Sequence, residues 1–440
     1  MKDTVQSLRK RLRERPDDVE AMMKLASLRA GQGKTKEARA LYAKILEVDP
    51  THVRALSVGA SERMTAGDMD EADGLIRRIE VQTLGKADRE LQLDVRGRFH
   101  LLRDEFDEAI GRFEEWRNLN RQSVEPLMAL LIAYDSAGLV EPTVPILEEA
   151  LRLAPDDLHL RFEYAETLLS LGRFDRARFE YDRVLSVWPD HEDSICAVVQ
   201  CLVGTGREED ALERLEDFVK EWPNATYARI ELAHRYRHAG YLADAADLMR
   251  ELARARPRDL EVRVNAAHIL DEAGDREGAL QHARKALAID SSSAEARVFL
   301  GRVYLWERRI DDCERQLLEG LRIHPDHPAM LVVFADLRAM QGRLEEAEDL
   351  AARAVRKEPD EAWTWACQSR MALRLGKITQ ALETARKAVA CDGDAPVARM
   401  ALGFAAATAG DRVTALAQAE AITKLDPDLA DEIRAAVEHG

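Results

Sequence analysis

A period of thirty-four residues runs through most of this 440-residue chain. Stepping forward from Pro155 meets Pro189, Pro223, Pro257, Ser291, Pro325, Pro359, Gly393 and Pro427. A second row at the same step is Gly138, Gly172, Gly206, Gly240, Gly274, Arg308, Gly342, Gly376 and Gly410. A third is small or slender: Ala177, Ala211, Ala245, Ala279, Cys313, Ala347, Ala381 and Ala415. Within one unit, 158–189, Phe162, Tyr164, Ala165 and Leu168 share one helical face, and Phe174, Ala177, Tyr181, Val184 and Leu185 share another. Gly172 between them suits a left-handed helix end, and Pro189 cannot continue a helix. The unit reads as helix, turn, helix, stop. Two short helices cannot bury a stripe each without neighbours, so such units must stack in arrays.

The period, the small residue in each helix and the terminal Pro resemble the tetratricopeptide repeat family over residues 19–429. The resemblance implies an all-α, right-handed superhelical solenoid of antiparallel helix pairs. The first helix of each pair would line the inner surface, and no catalytic chemistry is implied. About twelve repeats are expected over residues 19–427, in strict register from 158 and irregular at 80–145. Three extra residues enter near 85–89, Asp104 stands at a Gly position, and Pro142 and Pro145 open a second helix. Residues 1–16 and 428–440 are expected to be capping helices. In the first, Val5, Leu8 and Leu12 share a face ringed by Lys2, Arg9, Lys10, Arg11, Arg13 and Arg15. Such a helix suits a cap over the first repeat, or an anchor to a membrane surface or an acidic partner.

Charge and motifs narrow the function classes. A net charge of −17 argues against binding a nucleic acid backbone. No apolar run is long enough for a membrane span. The five cysteines form no CxxC pair, a pattern expected of a reduced, cytoplasmic protein. No HExxH, phosphate loop or nucleophile elbow occurs, so no enzyme reading has a motif behind it, and no cofactor or metal is expected.

The resemblance points to the concave face for a ligand. The candidate groove residues there are Tyr227, Glu231, His234, Arg237 and His238, then Asn265, His268 and Asp271, then Phe299, Arg302 and Trp306, and finally Trp363, Arg370 and Arg374. Aromatics beside Arg are the residues that dominate binding hot spots. The alternative is ordinary exposed polar residues, with the aromatics packed between repeats. His234, His238, His268 and Asp271 permit a divalent-metal or pH-sensitive reading, against a polar stretch with the histidines bonded to Glu231, Asp271 or Glu272. Some family members grip a chaperone C-terminal carboxylate with Lys, Asn, Asn, Lys and Arg over three repeats; His234 and His268 depart from that set. Val332, Val333, Ala339 and Met340, with Val397, Met400, Phe404 and Ala407, give two apolar inner faces, open to a partner helix or covered by the C-terminal cap. Together these features predict a protein-interaction scaffold or adaptor taking a protein or peptide ligand. The alternatives are a self-assembling homo-oligomer and a regulatory subunit of a separately encoded enzyme.

Overall fold

A computed structural model describes residues 4–423 and 426–439. Residues 1–3 (with Lys2) and Gly440, counted in the expected caps, lie outside these. The described residues form twenty-six α-helices and no strand. They divide into two compact units, residues 1–225 and 226–440. The first unit holds α1 (Val5–Glu14), α2 (Val19–Gly31), α3 (Thr35–Val48), α4 (Val53–Thr65), α5 (Met69–Glu80), α6 (Lys86–Leu101), α7 (Phe106–Leu119), α8 (Glu125–Ser136), α9 (Thr143–Leu153), α10 (Leu158–Ser170), α11 (Phe174–Leu185), α12 (Glu192–Gly204) and α13 (Glu208–Glu221). The second holds α14 (Thr226–His238), α15 (Leu242–Ala255), α16 (Leu260–Glu272), α17 (Arg276–Ile289), α18 (Ala294–Trp306), α19 (Ile310–Ile323), α20 (Pro328–Met340), α21 (Leu344–Lys357), α22 (Ala362–Arg374), α23 (Ile378–Cys391), α24 (Pro396–Thr408), α25 (Arg412–Ile422) and α26 (Pro427–His439). Each unit is a solenoid of helix pairs, with every helix packed on the next in sequence.

The turn inside each pair is set by backbone geometry. Gly172 has φ 68°, and the Arg173 N–H reaches back to the Leu168 carbonyl at 2.8 Å, closing α10. Where the row lacks Gly the turn persists: Asp104 has φ 58° and Arg308 φ 56°. The stack imposes the left-handed conformation on two residues that disfavour it. The boundary Pro stands just past the ends of α15, α19 and α21, where no helical N–H is needed.

Close approach is the packing device. A Cβ on Gly97 of α6 would sit 2.3 Å from the Phe113 ring of α7, and one on Gly403 of α24 would sit 2.8 Å from Ile433 of α26. Ala165 and Ala177 are fully buried between α10 and α11. Ser369, at the small position of α22, donates its hydroxyl to the Ala381 carbonyl of α23 at 2.9 Å. Three buried arginines, Arg161, Arg263 and Arg297, recur at whole periods. They donate to the boundary carbonyls of Pro155, Pro257 and Ser291, satisfying acceptors that the helix ends leave open.

The irregular stretch has distinct local causes. The three extra residues are absorbed by the linker after α5 and by α6, which runs to 16 residues. Pro142 and Pro145 delay α9: one period before Phe174, the first residue of α11, stands Val140, yet α9 begins at Thr143.

At the first end, Leu8 of α1 is 1% exposed against Ala21 and Leu25. The basic side of α1 faces acids of the first pair, with Arg11 bound to Asp18 at 2.5 Å and Glu20 at 2.9 Å, and Arg9 to Glu37 at 3.2 Å. At the other end, Ile433 and Val437 of α26 pack with Ala406, Ala407 and Phe404 of α24. Of the apolar inner face of α24, Phe404 and Ala407 pack with this helix, whereas Val397 packs with α22 and α23.

Two predictions follow from this packing. Arg308→Gly should relieve the left-handed cost and raise stability by roughly 0.5–1 kcal/mol, read as a higher thermal midpoint; an unchanged or lower midpoint would show the turn to be unstrained. The second concerns His282, which is buried in α17 and accepts from the Arg263 guanidinium at 3.4 Å. Burial first, then the Arg263 charge, pushes its pKa down to about 4. The unfolded chain therefore takes up a proton near pH 6.5 that the fold refuses. Stability from this group is complete above that pH and drains away as pH falls toward 4. The thermal midpoint should drop between pH 7 and 5, and His282→Gln should flatten that slope; parallel curves for the two proteins would refute the assignment.

Candidate functional site

In the second unit the first helices of successive pairs touch directly, α14 to α16, α16 to α18, α18 to α20, α20 to α22 and α22 to α24. No two consecutive second helices do, among the described residues. The layer with the shorter spacing is the inner side of the local curve. All fourteen candidate groove residues lie in this layer.

Side chains on α14, α16 and α18 are tied together across repeats. His234 Nε2 meets Asn265 Oδ1 at 2.9 Å, and Arg237 bonds to Glu272 at 3.2 Å. Arg276, at the start of α17, holds Asp271 at 2.9 Å and lies over the Trp306 ring at 3.9 Å. Trp306 is 71% exposed, so the clamp fixes an indole that otherwise stands in solvent. Arg302 beside it is exposed and forms no ion pair or hydrogen bond among the described residues. Arg374 on α22 is in the same state. Trp306, Arg302 and Arg374 are therefore the groups most available to a ligand.

Other candidates are already committed. Phe299 is 3% exposed and belongs to the core, touched edge-on by the His268 ring at 4.8 Å. Glu231 pairs within its helix with Arg235 at 2.8 Å. Arg370 grips both Asp336 oxygens at 3.0 Å, one repeat back. Trp363 donates its indole N–H to Glu361 at 3.1 Å. Tyr227 is exposed, as is His238, whose ring nitrogen lies 3.3 Å from Arg237.

The histidines do not use the carboxylates expected of them. Asp271 is taken by Arg276 and Glu272 by Arg237, which leaves Asn265 for His234. Burial lowers the pKa of His234, His268 and His238, and nearby guanidiniums lower each further. Burial thus favours the uncharged form of these imidazoles, and the face carries its exposed guanidiniums at Arg302 and Arg374. Among the described residues, no three of His, Cys, Asp and Glu converge as a metal-ligand set.

A second feature was not anticipated. In the first unit α4 touches α6, α6 touches α8 and α10 touches α12, but α8 and α10 do not touch. A cavity of about 530 Å³ opens between them, lined by Met128, Ile132, Val140, Leu147 and Phe162. A larger one of about 1000 Å³ lies on the other side of α8, floored by Phe113 and Trp116, and shares Met128 and Ile132. The available signal was the unpaired apolar run Leu139–Val140 ahead of two prolines.

Among the described residues, no helix is long and apolar enough to cross a membrane. No curated protein matches the chain in sequence. Among solved structures, a tetratricopeptide repeat protein from Parabacteroides merdae ATCC 43184 is 15% identical, with a TM-score of 0.46 over 56% of this chain and 98% of its own. The APC/C hetero-tetramer Cut9–Hcn1 is also 15% identical, with a TM-score of 0.44 over 98% of this chain and 92% of that one. Three family models described as tetratricopeptide repeats match residues 20–52, residues 134–194 and 270–330, and residues 202–259 and 307–362. The chain thus belongs to the tetratricopeptide repeat family, whose repeats are in general protein–protein interaction modules.

Proposed function

We propose that this chain is a non-enzymatic adaptor whose second unit holds an extended peptide or short helix of a partner protein along its first-helix layer. The observation that carries the reading is the exposed Trp306, clamped by Arg276 at 3.9 Å beside the unpaired Arg302. A large aromatic already held in place loses little freedom on binding, so its contact area converts efficiently into affinity. Arg302 supplies a forked donor for a carboxylate or a peptide carbonyl. The ties between α14, α16 and α18 support a face formed before the ligand arrives. Five free cysteines, three of them buried, support a reducing compartment such as the cytoplasm.

Replacing Arg302 and Trp306 together by Ala should weaken capture of the partner from native host lysate by about tenfold or more while leaving helicity and melting unchanged. A partner retained equally by the variant would move the site to another surface. An oligomer by light scattering with no partner captured would favour self-assembly. Phe299→Ala supplies the contrast: it should cost on the order of 3–5 kcal/mol of stability, because it empties a core position.

A further inference from the structure

We propose that the trough along α8 in the first unit is a second binding site, and that its occupant is a basic amphipathic helix of a partner protein. It is separate from the arginine-bearing face of the second unit and selects the opposite charge.

Two prolines stand beside the trough, at the start of α9. They hold residues 139–142 out of helix, so Leu139 and Val140 stay exposed instead of forming the first turn of α9. Ile132 projects between the two cavities and is 58% exposed, a wide apolar surface for a side chain facing the inner layer. The two cavities meet at Met128 and Ile132, one helical turn apart, and make one continuous apolar surface. The helix beneath it, α8, has 12 residues and spans about 18 Å, the length of a segment of about three turns. An apolar surface rimmed by polar groups can receive the apolar stripe of a partner helix.

Charge decides what fits. Asp135, Glu163 and Glu166 stand on the rim of the smaller cavity. None of the three forms an ion pair among the described residues, and the lining contains no Lys, Arg or His. Glu166 accepts only the Tyr181 hydroxyl. Burial, then the charge of Asp157, raises the pKa of Glu163, with His159 acting in the opposite direction. In the larger cavity Arg98 is already held by Asp94 at 2.6 Å, and Glu125 adds a further acid. An occupant must bring leucine-like side chains for the floor and Lys or Arg for the rim. An acidic segment would meet three uncompensated carboxylates.

The test is a fluorescence anisotropy titration of the full chain with two labelled peptides of about three helical turns. One has a Leu stripe with Lys on its flanks, the other the same stripe with Glu. The Leu/Lys peptide should bind saturably and the Leu/Glu peptide should not. Ile132→Asp makes the chain more acidic but removes the apolar ridge, so it should weaken the Leu/Lys peptide by about tenfold or more. The joint replacement Asp135→Asn with Glu163→Gln should weaken binding less and reduce its salt dependence. The Arg302 and Trp306 double variant should bind the Leu/Lys peptide as the native chain does, which separates this site from the groove of the second unit. Absence of Leu/Lys binding, equal binding of both peptides, or binding untouched by Ile132→Asp would each overturn the proposal. Ile132 is mostly solvent-exposed, and circular dichroism checks that its variant remains folded.

Discussion

Everything in this chain depends on how closely neighbouring helices approach. One helix pair has two apolar stripes and only one partner face of its own, so half its burial must come from the next pair. Glycine at 97 and 403 lets an aromatic or branched side chain from the adjacent helix sit where a Cβ would be. Alanine at 165 and 177 does the same with slightly more separation. Leu8 of α1 packs on Ala21 and Leu25 of α2, and Ile433 of α26 packs on Ala406 and Ala407 of α24.

Stacking sorts each helix into core and surface. In the second unit the first helices touch one another and their remaining side chains form the inner face. On that face Arg237 and Arg370 are already tied to carboxylates on adjacent repeats. What is left over is a clamped indole and two unpaired guanidiniums. The first unit differs. There α8 and α10 stand apart, and the surface exposed between them is apolar with unpaired carboxylates at its edge. The same architecture thus presents two faces of opposite polarity, one rich in arginine and one rimmed by acid.

Much of the architecture was legible in residue order, because a fixed period leaves the same mark in each unit. The glycine turns and the small positions are local or periodic properties. The candidate site was legible only in part. Trp306 and Arg302 stand in the open inner layer, but Phe299, on the same side of α18, is packed into the core beside the His268 ring, because the neighbouring repeat covers that end of the helix. The clamp from Arg276 comes from a second helix, outside the positions that line the inner face. The partner of His234 depends on lateral spacing between repeats, which residue order does not carry. Pro142 and Pro145 were visible as an irregularity; the cavity beside them depends on how far α8 and α10 stand apart.

The central claim is that the first-helix layer of the second unit is where a partner rests. Hydrogen exchange of the full chain, alone and saturated with a captured partner, tests it most directly. The account predicts slowed exchange in peptides covering α16, α18 and α22, with α15, α17 and α19 little changed. Protection concentrated on the second helices instead, with the first-helix layer unaffected, would contradict it.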